Sequence, residues 1–246
     1  TRVQREARLA FRAANFESIV VERGIKRLVH LTRINNVPSI LEHGLLSRSA
    51  MDAAGIGYER NDYFRNDHRE GSISLSIEHP NYRMFYFYRC NPETPDTDEG
   101  DPGWAVMTLH PKAVWELDCL FCYTNAASKE IKAEGERRLW KSRAFERMYQ
   151  GEIQYNRGGA EFSIERRQIE RTSGFRGSFP TDPQAEVLVR NEVPAHYICG
   201  VAFDPKIGGD TRQPLEKLVE DLGKDIIKDT SLFKPRCDWS HWKRSC

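Results

Sequence analysis

An amide and a carboxylate stand two residues apart just ahead of an apolar run, in the order Gln184, Ala185, Glu186, Val187. In a strand, residues two apart point the same way, so Gln184 and Glu186 are expected to share one space, with Ala185 turned away. A carboxylate there can stabilise a developing cation or accept a proton, and an amide can hold a substrate by hydrogen bonds. A surface strand with two solvated side chains would give the same pattern, so this motif alone does not establish a site.

A histidine and a threonine occupy alternate positions of a second predicted strand, residues 28–32. His30 and Thr32 would therefore share one face, and an imidazole beside a hydroxyl suits a ribose or an amide. The strand runs straight into a predicted helix, whose N-terminus favours anionic oxygens. A core histidine and an ordinary strand threonine are the structural alternative.

The helix that follows this strand has recognisable start and stop signals. Asn35 or Asn36 is expected to cap it, Pro38 fits its first turn, and Gly44 is expected to end it in a left-handed conformation.

Serine alternates with apolar residues from Ser72 to Ile77, which predicts a half-buried strand with Ser74 and Ser76 on its polar face. Pro80 ends this strand, and an aromatic run that carries Arg83 and Arg89 follows. Arginine among tyrosines can stack on rings and pair with phosphate. A structural core with flanking cations explains the aromatic residues equally well, but it explains a face of serines less easily.

Four segments in this order resemble the DarT family of NAD-dependent nucleic-acid ADP-ribosyltransferase toxins. The matching segments are His30–Thr32 with Asn36, Gly44 and Leu45; Ser74–Ser76 with Pro80–Phe85; Trp115–Cys119 with Thr124–Ala127; and Asp182–Val189. The resemblance implies an α+β protein with an ADP-ribosyltransferase-like fold, in which central split mixed or antiparallel sheets are flanked by helices. It covers an ADP-ribosyltransferase domain over residues 27–205, and leaves an N-terminal helical extension (1–26) and a C-terminal helical extension and tail (206–246).

The resemblance also implies a role for individual residues. Glu186 would be the catalytic glutamate, and Arg83, which we prefer over Arg89, would assist it. The residues implied in binding NAD as co-substrate are His30, Leu31, Thr32, Asn36, Gly44, Ser74, Ser76 and Arg89. The residues expected to contact the nucleic acid are Gln184, Tyr149, Arg166, Arg167 and Arg171. No metal is expected.

The reaction can be argued from its chemistry. Breaking the bond between nicotinamide and ribose creates an oxocarbenium-like carbon, as in glycoside hydrolysis. One carboxylate near the ribose stabilises that charge and can take a proton from a nucleophilic base, so losing Glu186 should cost about 10² to 10³ in rate or more.

A net charge of only +1 gives no global attraction to nucleic acid, so a local basic surface would have to supply it. Cations interleaved with rings between residues 132 and 176 suit single-stranded bases, which stack and carry phosphates. The cations are Lys132, Arg137, Arg138, Lys141, Arg143, Arg147, Arg166, Arg167, Arg171 and Arg176, and the rings are Trp140, Phe145, Tyr149, Tyr155 and Phe175. An amphipathic helix over residues 128–150, with Leu139, Phe145 and Met148 on its buried side, is the alternative.

Composition and the remaining patterns set the frame around these segments. A hydrophobic content of 39% and a charged content of 30% fit one domain with extensions, or two small ones. No apolar run approaches the length needed to cross a membrane and no signal-peptide pattern is recognised, which favours the cytoplasm. The Cys119–Cys122 CxxC has no partner motif at zinc-finger spacing, which favours structural thiols. Helices are predicted at 3–21 and 212–227, strands at 104–109 and 197–203, and loops at 50–71 (over the NAD site) and 91–103.

The function expected from this sequence is mono-ADP-ribosylation of a base in single-stranded DNA, by a toxin with an antitoxin partner in phage defence. RNA as the acceptor, a protein acceptor, and a catalytically silent nucleic-acid-binding module stay open as alternatives.

Overall fold

A seven-stranded sheet with strand order β11-β10-β4-β1-β3-β8-β5 organises the chain. The structure is a computed structural model that describes residues 2–59, 67–82, 84–85, 103–158, 164–171 and 175–236, with the backbone alone at 2–12, 154–158 and 164–169. Every pairing in the sheet is antiparallel except that of β10 with β11.

The strands are β1 Leu28–Arg33, β2 Leu45–Leu46, β3 Ser72–Ile77, β4 Trp104–Leu109, β5 Cys119–Cys122, β6 Glu152–Gly158, β7 Ile164–Glu170, β8 Glu186–Arg190, β9 Glu192–Val193, β10 Ile198–Phe203 and β11 Asp225–Ile226. The helices are α1 Arg2–Arg23, α2 Val37–His43, α3 Arg48–Ala54, α4 Ala113–Glu116, α5 Lys129–Ala133, α6 Glu136–Leu139, α7 Ser142–Arg147 and α8 Gly209–Asp221, with 3₁₀ turns at Ile34–Asn36, Ala195–Tyr197 and Thr230–Phe233.

The sheet is split between β1 and β3. These strands pair at two positions, Leu28 with Ile77 and Val29 with Ser76, and then separate. By contrast, β1 pairs with β4 along its whole length, and β3 pairs with β8 over four residues. The rest of β1, from His30 onward, therefore faces a gap between the two halves of the sheet.

Alternation along the strands gives the two faces of the sheet different coverings. Leu28 and Met107 belong to the larger apolar cluster, which includes Phe16 of α1; the Phe16 ring lies 4.8 Å from that of Phe121, centroid to centroid. Val29 on the opposite face joins a smaller cluster with Trp104 and Phe233. The N-terminal helix and the segment near residue 233 thus pack against different parts of the sheet.

Several predicted elements have different bounds in the structure. The amphipathic helix considered as the alternative over 128–150 is divided into three short helices, with Ser128 as the N-cap of the first and Gly135 as the N-cap of the second. The helix expected to reach residue 227 ends at Asp221, and β11 follows. The predicted loop at 50–71 begins inside α3, its residues 60–66 lie outside the described residues, and so does most of the loop at 91–103.

Gly44 is explained by close packing. Its φ of +82° requires glycine, although its ψ of −172° lies outside the left-handed helical region that the sequence predicted. A Cβ atom at this position would lie 2.4 Å from the Val193 carbonyl oxygen. The tight contact between the end of α2 and β9 therefore excludes a side chain.

Within the described ranges, no helix combines the length and the apolar character needed to cross a membrane.

Candidate active site

The carboxylate of Glu186 is held at the first residue of β8, and only 8% of this residue is exposed. Its Oε2 accepts a hydrogen bond from the Ser74 hydroxyl at 2.6 Å. Its Oε1 accepts from the Asn125 amide at 3.1 Å and from the Ala126 backbone N–H at 3.3 Å. Three donors on two separate elements therefore fix the carboxylate in place.

Asn125 lies in the turn after β5, and sequence reasoning assigned it no role. Its Oδ1 accepts from the Ala127 N–H at 2.9 Å, which orients the amide nitrogen toward Glu186. Asn125 belongs to the segment Thr124–Ala127, which is one of those that resemble the family. Asn125 and Glu186 are 61 residues apart in the sequence, however, so no local pattern indicated their contact.

His30 connects the two halves of the sheet where they separate. Its Nδ1 lies 3.0 Å from the Ser74 carbonyl oxygen. A carbonyl can only accept, so Nδ1 carries the hydrogen in this contact. The ring thereby satisfies a β3 carbonyl on the side where β1 no longer pairs.

The strand register places the predicted residues on two faces. Ser74 and Ser76 share the face of Glu186, since Ser74 lies opposite Leu188. His30 and Thr32 project on the other face, because it is Val29 that lies opposite Ser76. The two groups therefore come together at the split, and not on a common surface.

Asn36 is used to hold a neighbouring loop. Its amide donates to the Thr32 hydroxyl at 3.1 Å and to the Glu59 carbonyl at 2.9 Å, while its Oδ1 accepts from the Glu59 N–H at 2.8 Å. It occupies the N-cap position of α2 without capping it, and Pro38 lies in the first turn as predicted. Asn36 thus joins the end of β1 to the segment that leads into residues 60–66.

Two of the residues predicted to bind the cofactor have packing roles. The Leu31 side chain lies in the smaller apolar cluster with Trp104, so only its backbone can face a ligand in the split. Gly44 contacts β9, as described above. Their assignment to NAD stays a prediction that these contacts do not support.

The predicted arginines Arg83 and Arg89 lie outside the described residues. Another arginine, Arg69, lies just before β3, and its buried Nη1 has no hydrogen-bond partner among the residues that the structure describes. Burial raises the pKa of the Cys122 thiol well above its ordinary range, the charge of Glu186 raises it further, and Arg69 opposes both. Cys122 pairs with Glu186 across β5 and β8, so the same thiol is subject to the charges of Arg69 and of the glutamate.

Gln184 lies in a turn built by Asp182, which is fully buried. The Asp182 Oδ1 accepts from the Gln184 N–H at 2.7 Å, and its carbonyl accepts from the Ala185 N–H at 3.0 Å. Gln184 is half-buried and precedes the strand, so it lies at the rim beside Glu186. The strand assumed from the sequence begins only at Glu186.

Part of the predicted nucleic-acid surface is wrong. Phe145 is fully buried and Tyr149 is 4% exposed, so neither ring can stack on a base. Arg171 donates to the Phe179 carbonyl at 2.6 Å and to the Arg176 carbonyl at 2.9 Å, which makes it an internal contact. The amphipathic pattern could have indicated that these rings are internal, since Leu139, Phe145 and Met148 are all buried as that alternative requires.

Other members of that predicted surface remain exposed. Five of its cations in the α5–α7 region are exposed, namely Lys132, Arg137, Arg138, Lys141 and Arg143, and so is Lys129, which was not part of the prediction. Arg147 is instead paired with Glu134 and lies over the Tyr123 ring at 3.7 Å. The side chains of Arg166 and Arg167, in β7, lie outside the described residues.

The CxxC cysteines are both fully buried on β5. Residues three apart in a strand point to opposite faces, so Cys119 and Cys122 do not converge. Among the residues that the structure describes, no group of three or more histidines, cysteines, aspartates or glutamates could hold a metal ion.

The chain was compared with families of known proteins. The family model described as "ssDNA thymidine ADP-ribosyltransferase, DarT" matches residues 29–207. Comparison with curated protein sequences returns no significant match.

Two solved structures resemble the chain. Thermosipho africanus DarTG in complex with ADP-ribose has a TM-score of 0.52 at 20% identity, over 85% of this chain and 51% of that one, so our chain spans about half its length. Thermus sp. 2.9 DarT in complex with ADP-ribosylated ssDNA has a TM-score of 0.51 at 14% identity, over 85% and 97% of the two chains. The predicted ADP-ribosyltransferase-like α+β fold is confirmed. Since the family model covers most of the sequence, the chain belongs to the DarT family of ADP-ribosyltransferases.

Proposed function

We propose that this chain transfers ADP-ribose from NAD to thymidine in single-stranded DNA, with Glu186 at the reacting centre. The observation that carries the proposal is the Glu186 carboxylate, which three donors hold at the start of β8, next to the strand that borders the split in the sheet. The matching family model supplies the acceptor class.

The carboxylate is suited to the bond that must break. When the bond between the nicotinamide nitrogen and ribose C1′ breaks, nicotinamide leaves with the electron pair and positive charge develops at C1′. A carboxylate already fixed by Ser74, Asn125 and Ala126 stabilises this charge without reorganising. A thymine ring nitrogen then attacks C1′, and Glu186 accepts the proton that this nitrogen loses.

An elongated dinucleotide fits the division of residues between two faces. A ligand that runs through the split can contact His30 and Thr32 on one side and the Ser74–Glu186 pair on the other. The buried Nη1 of Arg69 is a candidate donor to the pyrophosphate, which would complete its hydrogen bonding. Arg69 joins Arg83 and Arg89 among the candidate arginines.

The exposed cations of the α5–α7 region are a candidate contact for the DNA backbone. These helices directly follow the Asn125–Ala126 turn that contacts Glu186. Phosphates bound there would contact residues that follow Asn125 and Ala126 closely in the sequence. Their binding should weaken as the salt concentration rises. A cytoplasmic toxin role, an antitoxin that reverses or blocks the mark, and phage defence are proposals that rest on the family resemblance.

The proposal is tested with labelled NAD and four oligonucleotides: single-stranded DNA with thymidine, the same strand with every thymidine replaced by deoxycytidine, a duplex, and RNA. We expect label on the thymidine-containing single strand alone, and none with Glu186→Gln. Label on RNA alone would move the acceptor to RNA. Label on no nucleic acid, with NAD left intact, would overturn the proposal in favour of a silent binding module.

A further inference from the structure

The C-terminal segment beyond the family match contacts the chain that leads into the site. The family match ends at residue 207. We call residues 225–236 the strap, and residues 175–182, which end four residues before Glu186, the approach segment. We propose that Arg236 is a positioning residue. Through it, the strap holds the approach segment, and with it the rim of the active site where the acceptor base must approach.

The strap is firmly attached to the domain ahead of Arg236. Asp229 accepts from the Arg27 guanidinium at 2.7 Å, and His79 Nε2 lies 3.1 Å from the Ser231 carbonyl oxygen. Leu232 and Phe233 are buried in the smaller apolar cluster. Residue 236 therefore starts from a fixed backbone, which a positioning contact requires.

Arg236 is buried against the approach segment, with 4% of the residue exposed. Its Nη1 donates to the Pro180 carbonyl at 2.9 Å, and its Nη2 donates to the Thr181 carbonyl at 3.3 Å. The guanidinium also lies over the rings of Phe175 and Phe179, at 5.0 and 5.4 Å from their centroids. Burying a guanidinium is costly unless its donors are used, so these contacts hold both parts together.

The approach segment is held from further directions. Arg171 donates to the Phe179 carbonyl and to the Thr181 hydroxyl. The buried Tyr149 donates its hydroxyl to the Ser178 carbonyl at 3.4 Å, and the Arg23 guanidinium of α1 lies 4.9 Å from the Tyr149 ring. Both terminal extensions thus contribute an arginine to the surroundings of this segment.

The segment is coupled to the rim of the site and much less to the catalytic carboxylate. Thr181 leads directly into Asp182, whose side chain and carbonyl hold the turn that carries Gln184. Glu186 is fixed separately, by pairing with Cys122 and by donors from Ser74 and Asn125. Releasing the segment should therefore displace Gln184 and spare Glu186.

Because Glu186 and the rim that carries Gln184 are anchored separately, two reactions should respond differently to the loss of Arg236. This expectation rests on the proposed function. Cleavage of NAD by water needs Glu186 and the NAD site. Transfer to DNA also needs the rim where the base must approach. Loss of Arg236 should accordingly separate the two reactions.

The test compares Arg236→Gln, Arg236→Lys and a control, Lys234→Gln, which removes an exposed cation from the same strap. With Arg236→Gln we expect KM for single-stranded DNA to rise about ten- to a hundredfold, the value of one or two hydrogen bonds from a charged donor. NAD cleavage without DNA should stay within about twofold, since Glu186 keeps its separate anchors. Arg236→Lys should recover part of the loss, because one ammonium cannot reproduce the planar guanidinium pair, and Lys234→Gln should match wild type.

A role in general folding would give a different result. In that case NAD cleavage and DNA transfer would fall together with Tm, and the positioning role would be wrong. Unchanged kinetics in Arg236→Gln would also overturn it.

Amide hydrogen exchange gives a readout that does not need the reaction. Arg236→Gln should speed exchange at the Thr181 and Ala185 amides, which bond to Met148 and Asp182, and leave the Val187 amide in β8 slow. Uniform exchange changes would contradict the inference even if wild type modified no DNA. Failure of wild type on every acceptor would count against the proposed function alone.

Discussion

Replacing Glu186 by glutamine should remove the charge that the reaction needs while keeping the hydrogen bonds that hold the residue. The glutamine Oε1 can accept from Asn125 and Ala126 as the carboxylate does. Its amide nitrogen then faces the Ser74 hydroxyl, which can rotate to accept instead of donate. Glu186→Gln should therefore cost less than about 1 kcal/mol in stability, as volume-conserving changes with satisfied partners do.

Alanine at the same position should behave differently. It leaves the buried Ala126 N–H and the Asn125 amide without their acceptor, while the half-buried Ser74 hydroxyl can turn to water. Leaving a buried donor unsatisfied costs about 1–3 kcal/mol, so Glu186→Ala should lose about 2–4 kcal/mol in all. The two variants thus separate loss of charge from loss of structure.

Both variants are assayed for transfer of labelled ADP-ribose to single-stranded DNA, for NAD binding and for Tm. Each should lower kcat by about 10² to 10³ or more, equivalent to about 3–4 kcal/mol of transition-state stabilisation. NAD affinity should stay close to wild type in Glu186→Gln, and only alanine should lower Tm clearly. If Glu186→Gln kept more than a tenth of wild-type kcat, the carboxylate would not be the charge that stabilises the ribosyl cation.

Three further predictions concern residues around the site. His30→Asn keeps a nitrogen donor for the Ser74 carbonyl but removes the ring, so Kd for NAD should rise about tenfold or more with Tm nearly unchanged; an unaltered Kd in titration calorimetry would argue against the role of His30. Gly44→Ala should lower the free energy of unfolding by about 2–4 kcal/mol through backbone strain and overlap with the Val193 carbonyl, whereas Gly57→Ala, with open space around it, should not; equal denaturation midpoints would contradict the packing. Burial, helped by the charges of Arg236 and Arg27, holds the pKa of His79 below its ordinary 6.5, although the carbonyl oxygens of Pro80 and Ser231 lie beside its two ring nitrogens. The unfolded chain therefore takes up a proton first as the pH falls, so His79 does not reduce the free energy of unfolding above about pH 6.5. Between that pH and the folded pKa, the free energy of unfolding falls by about 1.4 kcal/mol per pH unit. His79→Gln should flatten the dependence of Tm on pH in this range, and an unchanged slope would exclude His79 as the cause.

Sequence periodicity was a reliable guide where one strand face is buried. The β1 and β3 strands, the pairing of His30 with Thr32 on one face and the serine face of β3 all follow from alternation, because one residue of slip would bury polar groups. The strand register also explains what alternation could not give: the two halves of the sheet separate after Val29, and the pairing of Val29 with Ser76 puts His30 on the face opposite to that of Glu186.

Long-range contacts were beyond the sequence. The donor from Asn125 to Glu186 spans 61 residues, and the contact of Arg236 with Pro180 spans 56. Nothing local distinguishes Asn125 from any turn asparagine. Likewise, Tyr149 looks like a base-stacking ring until its neighbours bury it, and burial raises its pKa well above the ordinary range. Tertiary packing, which local sequence patterns do not encode, determines the contacts and the burial of these residues.

The measurement that tests the central claim most directly is the intact mass of a single-stranded oligonucleotide with one thymidine, after incubation with NAD and the wild-type chain. We predict a gain of one ADP-ribose, absent with Glu186→Gln and absent when that thymidine is replaced by deoxycytidine. A gain that survives either change would contradict the assignment of Glu186 or of the acceptor base, and no gain under conditions where the chain binds both NAD and DNA would contradict the reaction itself.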